Sequence, residues 1–467
     1  MKQPQPSASQ PGSPACPALL VAAPASGQGK TTVVSALARL HARRGLRVQV
    51  FKCGPDFLDP GWHQLASGRP VHNLDLWMCG EHDLRQRLHQ AAQTADLILV
   101  EGVMGLFDGQ PSSAADTARL LGLPVMVVID AGKMAETFGA VAHGLQHWQP
   151  GLRWAGVLAN RVGSTRHAHM LAQAVPENFL GALPRGSHFS LPERHLGLTA
   201  AQEMDDALQR LDAAADALQA TPLGQMDAAA LQRWRTVFPA VPAMPVPPLL
   251  AGRTVAVARD AAFQFIYAAN IEVLQQLGAR ISYFSPLADA ALPACDTVWL
   301  PGGYPELHAA TLAANRALAA SLRAHVQAGK PVWAEGGGLL PLFETFIARD
   351  GRPHAMWGLL PGHVQMQAKL AGLGLQQLDG LGADVNIGAD ATPLRGHAFH
   401  YSACVTDVPV AARTRRAGQA ESAAASDGGE ALYSQGSVRA SYFHPWFASS
   451  PVAVAALFGA KHEGCSR

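Results

Sequence analysis

A lysine and two threonines stand directly behind a glycine-rich stretch, Pro24-Ala25-Ser26-Gly27-Gln28-Gly29-Lys30-Thr31-Thr32. Backbone N–H groups of such a turn and of a following helix start hold phosphate oxygens, the lysine reaches the β- and γ-phosphates, and a hydroxyl serves Mg²⁺. Ser26, Gly27, Gln28, Gly29, Lys30, Thr31 and Thr32 are therefore the candidate nucleotide-binding set, with Lys30 the catalytic cation and Thr31 a metal ligand. Pro24 replaces the first glycine of the general pattern, but the setting is kept: an apolar run over 19–23 precedes the loop, and a helical stretch over 33–43 follows it and stops at Gly45. Two further constellations sit at the ends of apolar runs. Lys52-Cys53-Gly54-Pro55-Asp56-Phe57-Leu58-Asp59-Pro60 follows the run at 48–51, and Glu101-Gly102-Val103-Met104-Gly105-Leu106-Phe107-Asp108-Gly109 closes the run at 97–101. Ligands of open α/β sheets lie outside the carboxyl ends of the strands. Asp56, Asp59 and Glu101 should thus converge on the phosphates, where carboxylates are suitable ligands for a hard cation such as Mg²⁺.

The elements that must carry these residues are legible as short apolar runs at 19–23, 48–51, 97–101, 125–130, 155–160 and 179–183, separated by amphipathic stretches. That alternation predicts a parallel sheet covered by helices, a doubly wound α/β domain. Residues 200–238 read as helical and run into Pro239, Pro242, Pro245, Pro247 and Pro248, which continue neither a helix nor a central strand. A helical and Pro-rich linker is expected over 201–250. Beyond it strands at 254–258, 281–284, 297–300 and 331–335 alternate with helices, so a second doubly wound α/β domain fills 251–467; the polar stretch 413–430 reads as a solvated loop. The first 17 residues, rich in Pro, Ser and Gln and without an apolar core, read as a disordered tail and not a secretory signal.

Composition narrows the partners. With 36 basic and 35 acidic residues the net charge is +1, which gives no footprint for nucleic acid or an anionic membrane. No apolar run reaches the length of a membrane span. The six cysteines are scattered without CxxC pairs, the pattern of reduced thiols in a cytoplasmic protein rather than of a zinc or disulfide framework.

The strings KCGPDFLDP and EGVMGLFDG, then Gly156-Val157-Leu158-Ala159-Asn160-Arg161-Val162-Gly163 and Leu191-Pro192-Glu193-Arg194-His195-Leu196-Gly197-Leu198, resemble the synthetase half of cobyrinic acid a,c-diamide synthases. The resemblance runs in order along most of 18–460. It implies a fold like that of dethiobiotin synthetase over 18–200, and ATP with Mg²⁺ activating a corrinoid side-chain carboxylate as an acyl phosphate that ammonia attacks. It also implies that Asn160 reads the adenine, for which an amide offers both a donor and an acceptor. Arg161, Arg194 and His195 are candidates for binding the substrate carboxylates.

The second half, through Arg259-Asp260-Ala261-Ala262-Phe263 and Pro301-Gly302-Gly303-Tyr304-Pro305-Glu306-Leu307, is similar to the class I glutamine amidotransferase domain of that family. The resemblance implies a cysteine nucleophile on a strand-to-helix turn, a histidine base, and an oxyanion hole made by backbone amides, here Gly303 and Gly337. The family turn A-E-C-G-G reads Ala334-Glu335-Gly336-Gly337-Gly338, so Gly336 stands at the nucleophile position. The base is retained as His444, yet Trp446 and Ala398 replace polar residues that the family commonly places nearby. Glutamine hydrolysis is therefore expected to be impaired, with ammonia from solution or from a separate glutaminase. Cobyric acid synthase, nickel-sirohydrochlorin diamide synthase and a non-catalytic ATPase scaffold like ParA and MinD are the alternatives, and a homodimer is left open.

Overall fold

A computed structural model describes residues 12–186, 188–194, 197–198, 201–381, 392–419 and 429–459. The chain divides into two compact units, 1–243 and 244–467.

The first unit runs β1 (Ala15–Ala22), α1 (Lys30–Arg43), β2 (Val48–Cys53), α2 (Asp59–Ser67), β3 (His72–Leu74), α3 (Glu81–Thr94), β4 (Leu97–Glu101), α4 (Ala114–Leu121), β5 (Pro124–Asp130), α5 (Thr137–His147), β6 (Arg153–Val162), α6 (Thr165–Ala174) and β7 (Phe179–Pro184). Its strands line up as β3-β2-β4-β1-β5-β6-β7, and all neighbours in that order are parallel. The six expected strands are present. β1 and β4 are buried almost end to end, as their unbroken apolar runs require of strands covered on both faces. The order reverses at β1, so the loops after β1, β2 and β4 open on one crevice.

The remaining pieces of this unit are the two-residue strands β8 (Glu193–Arg194) and β9 (Gly197–Leu198), α7 (Ala207–Gln219), α8 (Ala228–Leu231) and β10 (Arg235–Val237). They correct the expected linker. Ala207, Leu211, Ala214 and Leu218 recur at helical spacing and are buried in one core cluster with Val33, Val34, Leu37 and Leu40 of α1. Arg39 and Arg43 of α1 pair with Asp212 at 2.7 Å and Asp216 at 2.8 Å on α7. β10 then pairs antiparallel with the start of β1, Ala15 opposite Val237 and Pro17 opposite Arg235. The expected disordered tail is thereby shortened too, since 15–17 belong to a strand; residues 1–11 lie outside the described residues. What is left of the linker is the proline segment at the unit boundary, where Pro cannot donate to a ladder.

The second unit opens with β11 (Thr254–Ala258), α9 (Ala268–Gln276), β12 (Arg280–Phe284), β13 (Thr297–Leu300), α10 (Ala309–Ala314), α11 (Arg316–Gln327) and β14 (Val332–Glu335). It continues with β15 (Phe343–Ile347), β16 (Pro353–Ala355), β17 (Leu360–Met366), β18 (Gly372–Leu378), β19 (Leu394–His400), β20 (Ser402–Val405), β21 (Val410–Arg413), β22 (Arg415–Arg416), β23 (Ala431–Gln435), β24 (Val438–Ser441), β25 (Phe443–Pro445) and α12 (Pro451–Leu457). Its main sheet is β12-β11-β13-β14-β24-β23-β21, parallel as far as β24 and antiparallel after it. Two four-stranded sheets, β16-β15-β17-β20 and β22-β18-β19-β25, flank it. The stretch expected as a loop over 413–430 is part structured: Arg415 and Arg416 pair with Gln377 and Gln376 of β18, while 420–428 lie outside the described residues.

If α7 belongs to the core of the first unit, Leu211→Ala should lower the stability of that unit by about 2–5 kcal/mol. Denaturant unfolding of the full chain measures this. A change below about 0.5 kcal/mol, as for an exposed linker residue, would return α7 to the linker.

Candidate functional site

The loop after β1 is built for close approach. Gly27 and Gly29 take φ of 76° and 91°, conformations that L side chains rarely adopt. A Cβ on Gly29 would also collide with the amide nitrogen of Asn160. That amide donates to the Gln28 carbonyl at 2.9 Å, and its oxygen accepts from Arg161 N at 2.9 Å. Asn160, expected as an adenine reader, thus first ties the phosphate loop to the end of β6. It keeps one N–H and one lone pair for a ligand.

Lys30 is buried at the start of α1, and its ammonium donates to the carbonyls of Met104 at 2.7 Å and Ala25 at 3.2 Å. Met104 accepts from a left-handed backbone position, φ 48°. Burial and then the neighbouring Lys52 charge bring the Lys30 pKa down to about 8, against the opposing pull of Glu101, Asp59 and Asp108. Thr31 Oγ1 donates to Glu101 Oε1 at 2.8 Å.

Glu101, 1% exposed at the end of β4, is the meeting point of the site. Lys52 Nζ reaches its Oε1 at 3.3 Å and Asp59 Oδ2 at 3.1 Å, and donates to the Gly102 carbonyl at 3.2 Å. Burial would raise the Glu101 pKa, but Lys52 and His63 outweigh it and hold the carboxylate ionised, well below its usual range. Burial likewise opposes the charge on Lys52 and is outweighed by Glu101, Asp59 and Asp56, so the lysine stays protonated. Asp59 is pushed the other way, up, by burial and by Asp56 and Glu101. Asp56 turns inward to accept from Leu58 N at 2.8 Å and Asp59 N at 3.0 Å, the side-chain turn typical of aspartate. Asn73 of β3 holds the same loop through the Gly54 and Asp56 carbonyls.

Ser26, Gly27, Gly29, Lys30, Thr31, Thr32, Asp56, Asp59, Glu101, Asn160 and Arg161 line one cleft of about 930 Å³. Arg161 is already paired with Asp130 at 2.7 Å, so part of its charge is committed within the chain. Of the other two expected substrate residues, Arg194 lies in β8 with its backbone paired to Gly197, and His195 lies outside the described residues. The sequence reading passed over Lys52, His63, Asp130 and Arg185, the last also a cleft residue. For Lys52 a signal existed: it is the only charge in the buried run Val48–Cys53.

In the second unit Gly336 follows β14 with φ 53°, the left-handed backbone of an elbow. A Cβ built there would fall on Cε1 and Nε2 of His444. The imidazole therefore occupies the space that a nucleophilic side chain needs. His444 Nδ1 faces Glu335 Oε1 at 3.6 Å, and Glu335 also accepts from Trp333 Nε1 at 3.1 Å. His397 stacks on His444 with ring centroids 5.1 Å apart, opposite it in the β19–β25 ladder. Trp446 is fully buried and packs edge-on against Tyr267 at 5.1 Å, so its position serves packing. Ala398 is buried opposite Phe443. Gly303 and Gly337 come together: a Cβ on Gly337 would meet the Gly303 carbonyl and the Pro305 ring.

Residues 19–198 match the family described as the CobQ/CobB/MinD/ParA nucleotide binding domain, and residues 254–452 the CobB/CobQ-like glutamine amidotransferase domain. Over 444 residues the chain is 52% identical to a hydrogenobyrinate a,c-diamide synthase of Stutzerimonas stutzeri, covering 95% of this chain and 98% of that one. The chain belongs to the a,c-diamide synthase family. It is 50% identical over 95% of its length to the enzyme of the same name from Pseudomonas aeruginosa, covering 97% of that chain. A cobyrinate a,c-diamide synthase of Herminiimonas arsenicoxydans is 47% identical over 94% of this chain and 96% of its own. Family members of both names carry this likeness along both units, which favours an amide-forming enzyme over a nucleotide-dependent scaffold. Among the described residues no helix is long and apolar enough to cross a membrane.

If nucleotide phosphate binds the charged form of Lys30, binding above its pKa of about 8 must take up a proton. Affinity for a non-hydrolysable ATP analogue should fall as pH rises through 8, by up to about tenfold per pH unit. Calorimetry at pH 7 and 9 in buffers of different ionisation enthalpy reads both affinity and proton uptake. Equal affinity with no uptake would show that Lys30 stays charged throughout.

Proposed function

We propose that the chain is an ATP- and Mg²⁺-dependent ligase that converts the a and c carboxylates of cobyrinic or hydrogenobyrinic acid to amides, with free ammonia as its nitrogen source. The relatives' names supply the substrate class. The observation that carries the choice of ammonia is the His444 imidazole lying where a side chain on residue 336 would be.

In the first unit the residues fit the nucleotide and its cation. Left-handed glycines leave room for phosphate, and the Lys30 ammonium is held by backbone carbonyls rather than spent on a carboxylate. When bound, ATP with Mg²⁺ supplies the phosphoryl group that turns a side-chain carboxylate into a reactive acyl phosphate. The chain's part is positioning and charge neutralisation, the larger part of phosphoryl-transfer catalysis. Lys30 and the loop amides hold the phosphate charge. Thr31, Glu101, Asp56 and Asp59 are the cation's ligands, direct or through water, and Lys52 keeps Glu101 ionised. Asn160 meets the base with its remaining donor and acceptor, and Arg161, Arg194 and His195 receive the acidic substrate.

In the second unit glycine has nothing with which to form a glutamyl thioester, and His444 with backbone amides cannot replace that step. Ammonia therefore reaches the activated carboxylate from solution or from a separate glutaminase.

Two outcomes test this reading. Lys30→Ala should lower amidation about a hundredfold or more, since it removes a cation aimed at the transferring group, with an unchanged circular dichroism spectrum; activity within about threefold of wild type would remove Lys30 from the chemistry. With ATP, Mg²⁺ and hydrogenobyrinic or cobyrinic acid, ammonium salts should support diamide formation, rising with pH at saturating nucleotide as NH₃ replaces ammonium. Glutamine in ammonia-free buffer should support almost none, and Gly336→Cys should not restore it, because the new side chain meets His444. Glutamate accumulating in step with amide in the wild-type chain would reveal a nucleophile elsewhere.

A further inference from the structure

The carboxylate of Glu101 is held on its far side by His63, which has no part in the proposed binding of nucleotide, cation or substrate. His63 of α2 is fully buried, and its Nε2 lies 2.5 Å from Glu101 Oε2. Its other ring nitrogen, Nδ1, lies 2.9 Å from Ser35 Oγ of α1. The two helices supply these groups in register. Thr31 and Ser35 are four residues apart on α1, and Asp59 and His63 are four apart on α2, so each pair shares one helix face. α1 sends Thr31 to Glu101 Oε1 and Ser35 to His63; α2 sends Asp59 to Lys52 and His63 to Glu101 Oε2. The result is a closed ring, Thr31 to Glu101 to His63 to Ser35 and back along α1.

An ionised carboxylate only accepts, so the hydrogen between His63 and Glu101 belongs to Nε2. If Ser35 donates its hydroxyl to Nδ1, the ring closes on the Nε2–H tautomer of His63. Each Glu101 oxygen then has a fixed donor, and Oε1 is the one turned to Thr31. Because the Thr31 hydrogen is committed to Oε1, the lone pairs of its hydroxyl oxygen remain for a cation in the cleft. We propose that His63 is a positioning residue of the nucleotide site, which fixes the Glu101 carboxylate and, through it, the Thr31 hydroxyl. This rests on the reading of Thr31 and Glu101 as the cation's ligands. Partners that orient ligating groups in this way typically account for about ten- to a hundredfold in metal affinity.

Two readouts other than turnover test it on the full-length chain. In ¹⁵N-histidine spectra of the nucleotide-free protein His63 should be protonated at Nε2 and bare at Nδ1, and Ser35→Ala should shift the Nδ1 signal; the opposite tautomer would overturn the ring. In calorimetric binding of a non-hydrolysable ATP analogue against Mg²⁺, His63→Leu should raise the half-saturating Mg²⁺ about tenfold or more. His63→Gln, which keeps an N–H for Glu101 and a carbonyl for Ser35, should stay within about threefold. In a Glu101→Gln background His63→Leu should add nothing further, because the two act through one carboxylate. A role in packing alone predicts the reverse: Gln as damaging as Leu, and effects that add. Should His63→Leu not fold, Ser35→Ala carries the test with an expected rise of about threefold, and no rise would overturn the proposal. Glu101→Gln with wild-type Mg²⁺ dependence sinks the cation role of Glu101 itself, whereas a shifted Glu101→Gln beside an unshifted His63→Leu sinks only the positioning role.

Discussion

Lys52 is closed off from water at the end of a central strand, and the nucleotide cleft is arranged around its charge. An ammonium in that position is costly unless it is paired and hydrogen-bonded. Asp59 at the start of α2, and Glu101 with the Gly102 carbonyl at the end of β4, meet that need from two different segments. Each of those segments follows or starts a strand end, so satisfying one buried lysine also fixes the loops after β2 and β4 against α1. Two cations, Lys30 and Lys52, then face three carboxylates, Asp56, Asp59 and Glu101. Burial, and then the charges of Asp56 and Glu101, push Asp59 up, while Glu101, with Lys52 and His63 beside it, is held down. A divalent cation would offset the negative charge of the cluster, which supports the proposal that a cation binds there together with polyphosphate.

Much of this was legible in the chain. Buried parallel strands read as unbroken apolar runs, and β1, β2, β4, β5, β6 and β7 were all placed within a few residues. The carboxylates at strand ends followed from topology, not from their local sequence. The failures have physical reasons. The helical pattern of α7 runs on toward prolines as a linker's would, and sequence alone does not say that its apolar face lies against α1. β10 is three residues long and owes its existence to pairing with β1. Lys52 is the only charge in its strand, but which carboxylates it meets depends on packing that its local sequence does not encode. His63 shows helical spacing from Asp59; only packing reveals that this face meets Glu101.

The second unit keeps an amidotransferase fold around an elbow whose residue has no side chain. Loss of a side chain from an elbow leaves a void, and voids are unfavourable because their lining forfeits contacts. Here the His444 ring lies in that space, with His397 stacked upon it and Glu335 at its Nδ1 side. Trp446 completes the packing where a polar partner would otherwise stand. The parallel core from β12 to β24 does not depend on any of these groups, so the architecture is kept whichever residues fill the elbow.

The pairing of β10 with the first residues of β1 has a bearing on how the first unit is made. β1 lies between β4 and β5 in the middle of its sheet, yet its opening residues find their antiparallel partner more than two hundred positions later. Closing so long a loop is slow, and a chain emerging from the ribosome cannot complete the edge until Val237 is out. Until Gln219 is out α1 lacks α7, and the apolar side formed by Val33, Leu37 and Leu40 has no cover from that helix. A fragment cut where the nucleotide-binding homology stops, at residue 198, would keep every loop of the cleft and leave that side of α1 uncovered. The natural unit of expression is therefore longer than the motif it carries.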